Sequence, residues 1–186
     1  MAHQAQIEFC TSVRNRFPTW FDHGAVLDCG CLDLNGNNRY LFQGGSYLGI
    51  DVAHGKNVDI VSPIHMFNAR SGMFDFIIST ECFEHDMHWQ ASFKNMYRML
   101  RDGAMLMFTC ASPGRKEHGT LRSEPESAPL LASQNEEWAN YYRNLSVEDF
   151  MEAFDIDKMF ERYEWKINKD ACDLYFWGIK RPNVEI

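Results

Sequence analysis

Between Phe74 and Cys110 the sequence runs apolar strand, amphipathic helix, apolar strand, a succession that leaves little choice of fold. Phe74-Asp75-Phe76-Ile77-Ile78-Ser79 is almost continuously apolar, as in a central parallel strand covered on both faces. From His88 to Arg101, Trp89, Phe93, Met96, Tyr97 and Leu100 recur at helical spacing, and Asp102-Gly103 closes the stripe. Ala104–Cys110 then reads as a second buried strand. Two strands joined through one helix predict a right-handed βαβ crossover, the building unit of an open parallel sheet.

The flanking segments extend this pattern. Residues 3–18 place Ile7, Cys10, Val13 and Phe17 at helical spacing before Pro18. Ala25–Gly30 and Tyr47–Asp51 read as strands separated by the turn signal Asn35-Gly36-Asn37-Asn38, and Val58–Val61 as a third that Pro63 ends. Residues 112–145 carry Pro113, Pro125 and Pro129 with no sustained periodicity, which predicts a long loop or irregular lid, and loops of that length are usually functional. Ser146-Val147-Glu148-Asp149 resembles a capping box ahead of a stripe of Val147, Phe150, Met151 and Phe154. Tyr163–Asn168 and Asp173–Ile179 are spaced to pair as an antiparallel hairpin at the sheet edge. The 186 residues suit one α/β domain spanning 1–186, and the 45% hydrophobic and 24% charged residues are those of a globular chain.

Charge narrows the partners. With 18 Lys+Arg against 26 Asp+Glu, the net charge of −8 repels polyanions, so nucleic acid is not an expected partner. No apolar window reaches a membrane span, and the polar N-terminus lacks a signal-peptide core, so a cytoplasmic protein without membrane attachment is expected. The six cysteines show no C-x-x-C pair and no His at zinc-finger spacing; they read as reduced, mostly buried thiols, and no metal is expected. Oligomeric state is not encoded in any pattern found.

On an open parallel sheet, ligands bind outside the carboxyl ends of the strands at the topological switch point. That rule selects the loop after Gly30, Asp51, the turn after Val61, and Ser79-Thr80-Glu81. Asp51 ends the second strand at about the 20-residue spacing at which an acidic side chain reaches a cofactor's ribose hydroxyls, a spacing that also serves NAD. The first loop, Asp28-Cys29-Gly30-Cys31-Leu32-Asp33-Leu34-Asn35-Gly36, lacks the glycine pattern that cradles a pyrophosphate, and Leu32 and Leu34 are bulky where a dinucleotide needs close approach. A nucleoside cofactor without phosphates, such as S-adenosylmethionine, fits such a loop better.

Val26-Leu27-Asp28-Cys29-Gly30, Tyr47-Leu48-Gly49-Ile50-Asp51, Phe74–Ser79, Glu84-His85 and Met99-Leu100-Arg101-Asp102-Gly103 occur in the order found in class I, Rossmann-like S-adenosylmethionine-dependent methyltransferases, which residues 25–110 resemble. The resemblance implies a three-layer sandwich around a mostly parallel seven-stranded sheet with an antiparallel C-terminal hairpin. It implies that Gly30 lies against the cofactor's methionine, that Asp51 binds its ribose, that Val52 flanks its adenine, and that Ser79 or Thr80 lines its methionine side. Asp28 and Glu81 complete the expected cofactor site.

A hydroxyl acceptor of the methyl group needs a base, and two histidines are placed for it. His85 follows the fourth strand on the ligand side and either acts as the base or orients the following helix. His118, in the long loop, is either a base or a solvated loop residue. Glu81 and Glu84 offer the same chemistry or face solvent, and Trp138, Tyr141 and Tyr142 either wall an acceptor pocket or fill core. A small molecule or sugar, methylated on oxygen more readily than nitrogen and enclosed by 112–145, is the expected acceptor. Two readings compete: a catalytically inactive S-adenosylmethionine-binding module acting as partner or sensor, against which Gly30 and Asp51 speak, and an NAD oxidoreductase, which lacks its glycines here.

Overall fold

The computed structural model describes residues 3–184. Seven strands form one sheet: β1 (Ala25–Cys29), β2 (Ser46–Asp51), β3 (Ile60–Val61), β4 (Phe74–Thr80), β5 (Leu100–Ala111), β6 (Phe160–Asn168) and β7 (Asp173–Lys180). Their spatial order is β3-β2-β1-β4-β5-β7-β6. Strands β1 to β5 pair in parallel, and β7 runs antiparallel to both β5 and β6. The expected architecture is therefore the one found, with β6 as the outer strand of the hairpin.

Period-two alternation divides the core between the two faces. Phe76 and Ile78 of β4, Met105 and Met107 of β5, and Tyr175, Trp177 and Ile179 of β7 pack with Phe9, Cys10 and Val13 of α1 (Gln4–Arg16). Ile77, Leu106, Phe108 and Phe176 face the other way. They meet Trp89, Phe93, Met96 and Tyr97 of α2 (Trp89–Met99) and Phe150 of α4 (Val147–Ala153). Between β5 and α4 lies the four-residue α3 (Glu136–Ala139), and α5 (Ile156–Met159) leads into β6. The predicted capping box at Ser146 is present, with Asp149 closing it, although Met151 lies off the buried stripe at 42% exposure.

Two boundaries differ from expectation. Asp102-Gly103 does not close α2, which ends at Met99; the pair instead sits inside β5, where the register against β4 slips between Phe74 and Phe76 and Gly103 has φ +75°. Between the pairs Phe74–Leu100 and Phe76–Met105, β5 advances three residues more than β4, and Gly103 takes the left-handed conformation within that bulge. The third strand is only two residues long, since pairing to β2 stops at Asp51 opposite Val61.

Candidate active site

The chain leaves β1 to one side for β2 and returns to the other for β4, so the crevice beyond β1 and β4 is the switch point of the sheet. A cleft of about 920 Å³, counting its open mouth, occupies that place. Asp28, Gly30, Asp51, Val52, Thr80 and Glu81, six of the seven expected cofactor residues, line it. Ser79 does not. It is fully buried, and its hydroxyl donates to the Cys29 carbonyl at 2.8 Å, which ties β4 to β1.

Gly30 is required by two separate constraints. Its φ is +74°, a conformation that side chains resist, and a Cβ there would lie 2.7 Å from Cys82 Cβ and closer still to its sulfur. The backbone thus turns tightly between β1 and the segment after β4.

Asp51 accepts from the Leu32 and Val52 amides at 3.0 and 2.8 Å, so its carboxylate also fixes the first loop. Burial pushes its pKa up, and the two amide donors oppose that shift. Asp28 is nearly inaccessible and accepts from the Tyr47 hydroxyl and, at 3.2 Å, from Asn38 Nδ2. Burial raises its carboxyl to about 6 against those donors. Asn38 also donates to Thr80 Oγ1 at 3.1 Å, linking the first loop to the end of β4.

The opposite wall is built by the turn after β4 and by residues 112–145. Glu81 takes φ +53°, rare for a residue with a side chain, and its Oε1 accepts from the Thr109 hydroxyl at 2.8 Å. His85 lines the cleft while its ring meets those of His118 and Tyr142, with centroids 5.0 and 5.5 Å away. Burial holds the imidazoles of both His85 and His118 below the usual range, so both are neutral near pH 7. His118 is 7% exposed, and thus no solvated loop residue, but it stands behind His85 rather than in the cleft wall. Glu84 does not face solvent either; it is fully buried, and burial with the nearby Glu81 raises its carboxyl to about 8.

Residues 112–145 fold as short 3-10 turns around α3, and Ser127, Ala128, Leu130, Leu131 and Trp138 reach the cleft. Gln134 Nε2 donates to the Val52 carbonyl at 3.2 Å, Trp138 Nε1 to the His85 carbonyl at 2.9 Å, and the Arg143 amide to the Glu84 carbonyl at 2.9 Å. Of the aromatics considered above, Trp138 walls the cleft, whereas Tyr142 packs on the two histidines. Asp86 was missed by sequence reasoning; its carboxylate lines the cleft, held by the Ser92 hydroxyl and the His88 amide. Its place directly after Glu84-His85 was the available signal.

No Lys or Arg lines this cleft among the described residues, so it offers no cationic side chain to a pyrophosphate. A glycine with no room for a Cβ, a strand-end carboxylate and an apolar flank of Val52, Leu130 and Leu131 fit a nucleoside cofactor without phosphates.

Comparison with known proteins agrees with this geometry. No curated protein matches the sequence. The fold is shared with Haemonchus contortus phosphoethanolamine N-methyltransferase 2, solved with phosphomonomethylethanolamine and S-adenosylhomocysteine (TM-score 0.62, 15% identity, 94% of this chain covered). This chain spans about half that enzyme's length, 52%. It also resembles Burkholderia thailandensis 1,6-didemethyltoxoflavin-N1-methyltransferase, solved with 1,6-didemethyltoxoflavin and S-adenosylhomocysteine (TM-score 0.51, 13% identity, 97% of this chain and 92% of that one). Residues 1–167 match the family described as methyltransferase domain. With nine-tenths of its length inside that family, the chain belongs to the methyltransferase domain family.

Proposed function

We propose that this chain methylates a hydroxyl of a small molecule or sugar, with residues 112–145 serving as the wall that encloses the acceptor. The observation that carries the reading is the continuity of one cleft, from Gly30 and Asp51 at one end to His85, Asp86 and Trp138 at the other. Cofactor and acceptor would share it, which is the arrangement an in-line transfer needs.

The cofactor, when bound, supplies an electrophilic methyl on a sulfonium. The chain's own residues do the rest. Asp51 accepts hydrogen bonds from the ribose, Gly30 yields space to the methionine, and Val52 flanks the adenine. Well-oriented reactants reach effective molarities of about 10⁵–10⁸ M, so positioning supplies much of the rate. A hydroxyl must still lose its proton, and His85, neutral and in the cleft wall, is the acceptor we assign to it, with His118 behind it. The carboxylates of Glu81 and Asp86 in the same cleft favour a second reading, an amine acceptor, as in the names of the two enzymes above.

Calorimetry with S-adenosylhomocysteine and NAD, followed by transfer of labelled methyl to a panel of hydroxylated sugars, phenols and amines, tests this. Binding of S-adenosylhomocysteine alone and labelling of a hydroxyl are expected. Labelling restricted to amines would replace the first reading with the second, and no labelling with intact binding would favour the inactive binding module.

A further inference from the structure

Behind the cleft wall, the structure leaves an unusual number of buried polar atoms without a partner. Both carboxylate oxygens of Glu84, Nδ1 of His85 and the hydroxyl of Tyr142 are buried and make no hydrogen bond. Burying a carboxyl group without a hydrogen bond is costly even when it is protonated, and natural structures tolerate such groups where they serve a ligand, an ion or a reaction. Glu84 has no exposed surface, and His85 and His118 are 6% and 7% exposed. One ligating atom from each of the three residues lies within 4.8 Å of those of the other two.

We propose that Glu84, His85 and His118 form a binding site for a divalent first-row transition cation of the zinc class. The donor set decides the class of ion. Two imidazoles with one carboxylate suit Zn²⁺, Co²⁺, Mn²⁺ or Fe²⁺, whereas Mg²⁺ and Ca²⁺ prefer oxygen ligands throughout. Three protein ligands also leave at least one coordination position open.

The surroundings prepare the ligands. His118 Nδ1 lies 3.0 Å from the Lys116 carbonyl, which only accepts, so Nδ1 carries the proton and Nε2 keeps its lone pair. The Glu84 and His85 carbonyls are held by the Arg143 amide and by Trp138 Nε1, which fixes the backbone from which both ligands project. Gly119 gives the His85 ring room, since a Cβ there would stand 2.6 Å from Cε1. Ligand atoms on tetrahedral zinc sit about 3.4 Å apart at bond lengths near 2.1 Å, so side-chain adjustments of about an ångström would gather these three. Glu81 stands beside the site, its Oε2 3.7 Å from the His3 imidazole.

The proposal departs from the expectation, drawn from the cysteines alone, that the chain binds no metal. Because His85 also lines the cleft, the ion would stand at the acceptor end, where an open position can take an acceptor oxygen and lower the pKa of its hydroxyl; with its lone pair on the ion, His85 would then no longer be the proton acceptor. That last step rests on the methyltransferase reading; the ion site does not.

Titration of the purified chain with Co²⁺, followed by visible absorption, tests the inference without any turnover assay. One equivalent is expected to bind with ligand-field bands and to be displaced by Zn²⁺. Glu84→Gln and His118→Ala should each weaken Co²⁺ by about tenfold or more, with S-adenosylhomocysteine affinity kept within about threefold as the check on folding. In the unaltered chain, bound Co²⁺ should shift or broaden the amide resonances of Glu84, His85, His118 and Gly119, which locates the ion even if a variant fails to fold. Absence of stoichiometric Co²⁺ or Zn²⁺ binding, or paramagnetic effects that spare those four amides, would overturn the site. Loss of S-adenosylhomocysteine binding by the unaltered chain would instead overturn the methyltransferase reading and leave the ion site standing.

Discussion

The two ends of the cleft handle buried polarity in opposite ways. At the β1–β2 end every carboxylate is already served: Asp28 by Tyr47 and Asn38, Asp51 by two backbone amides. At the β4 end, Glu84, His85 and Tyr142 hold buried atoms with no partner at all. A satisfied network rigidifies the structure around it, and an unsatisfied one stores unfavourable desolvation until a partner arrives. The first end is therefore preorganised by the protein itself, and the second is where the proposed ion would supply the missing partner.

Gly30→Val breaks the preorganised end most directly, because the new side chain meets Cys82 and cannot easily hold φ +74°. S-adenosylhomocysteine affinity should fall by more than about 100-fold in a chain destabilised by about 1–3 kcal/mol. Calorimetry beside thermal unfolding checks both, and unchanged affinity would remove Gly30 from the site.

Asp28 offers a test in pH. Its carboxyl, raised by burial to about 6 from an ordinary 3.8, binds a proton more readily in the folded chain than in the unfolded one. Folded stability is thus greatest with the group protonated and declines as pH rises from about 4 through 6, by up to about 3 kcal/mol. Urea unfolding across that range should show the decline, and Asp28→Asn should make it shallower, leaving the part that Glu84, raised to about 8, contributes. A slope unchanged in the variant would assign the titration elsewhere.

Asp51→Ala deletes a charged acceptor, and bonds to charged groups contribute about 1.5–3 kcal/mol each. An S-adenosylhomocysteine affinity lower by about 10- to 100-fold is expected from isothermal titration. Retained affinity in a folded variant would move the ribose site away from β2.

The sharpest contrast has the smallest magnitude. Ser79→Ala and Tyr142→Phe each remove one buried hydroxyl, one bonded to Cys29 and one without a partner. In metal-free buffer the first should lose about 1 kcal/mol of stability and the second should lose none or gain about as much. Equal losses on denaturant unfolding would erase the distinction between the two ends.

The legibility of the sequence follows the same division. Strands β4 and β5 with α2 were readable because period and apolar run length are local properties, as was Asp51, which needs only a strand end and a spacing. The bulge at Gly103 was not, since it depends on register against a neighbouring strand. Ser79 and Thr80 were both candidates from sequence; only the alternation of the folded strand turns one inward to Cys29 and the other to the cleft. His85 and His118 were each singled out, yet their proximity arises from the return of residues 112–145 over the sheet, which carries no periodic signal. Glu84 shows the limit most clearly, because a glutamate near a helix start reads as solvated until its burial is seen.

One hydrogen bond has a bearing on the order of events in a catalytic cycle. Trp138 spans two tasks: its ring closes the cleft, and its indole nitrogen holds the carbonyl of His85. Under the proposed methyl transfer, an outward swing of α3 to free a spent cofactor would also release the backbone beneath the histidine. Departure of product and loss of the support for His85 would then be a single motion, and the cleft would not be open for exchange and set for reaction at the same time.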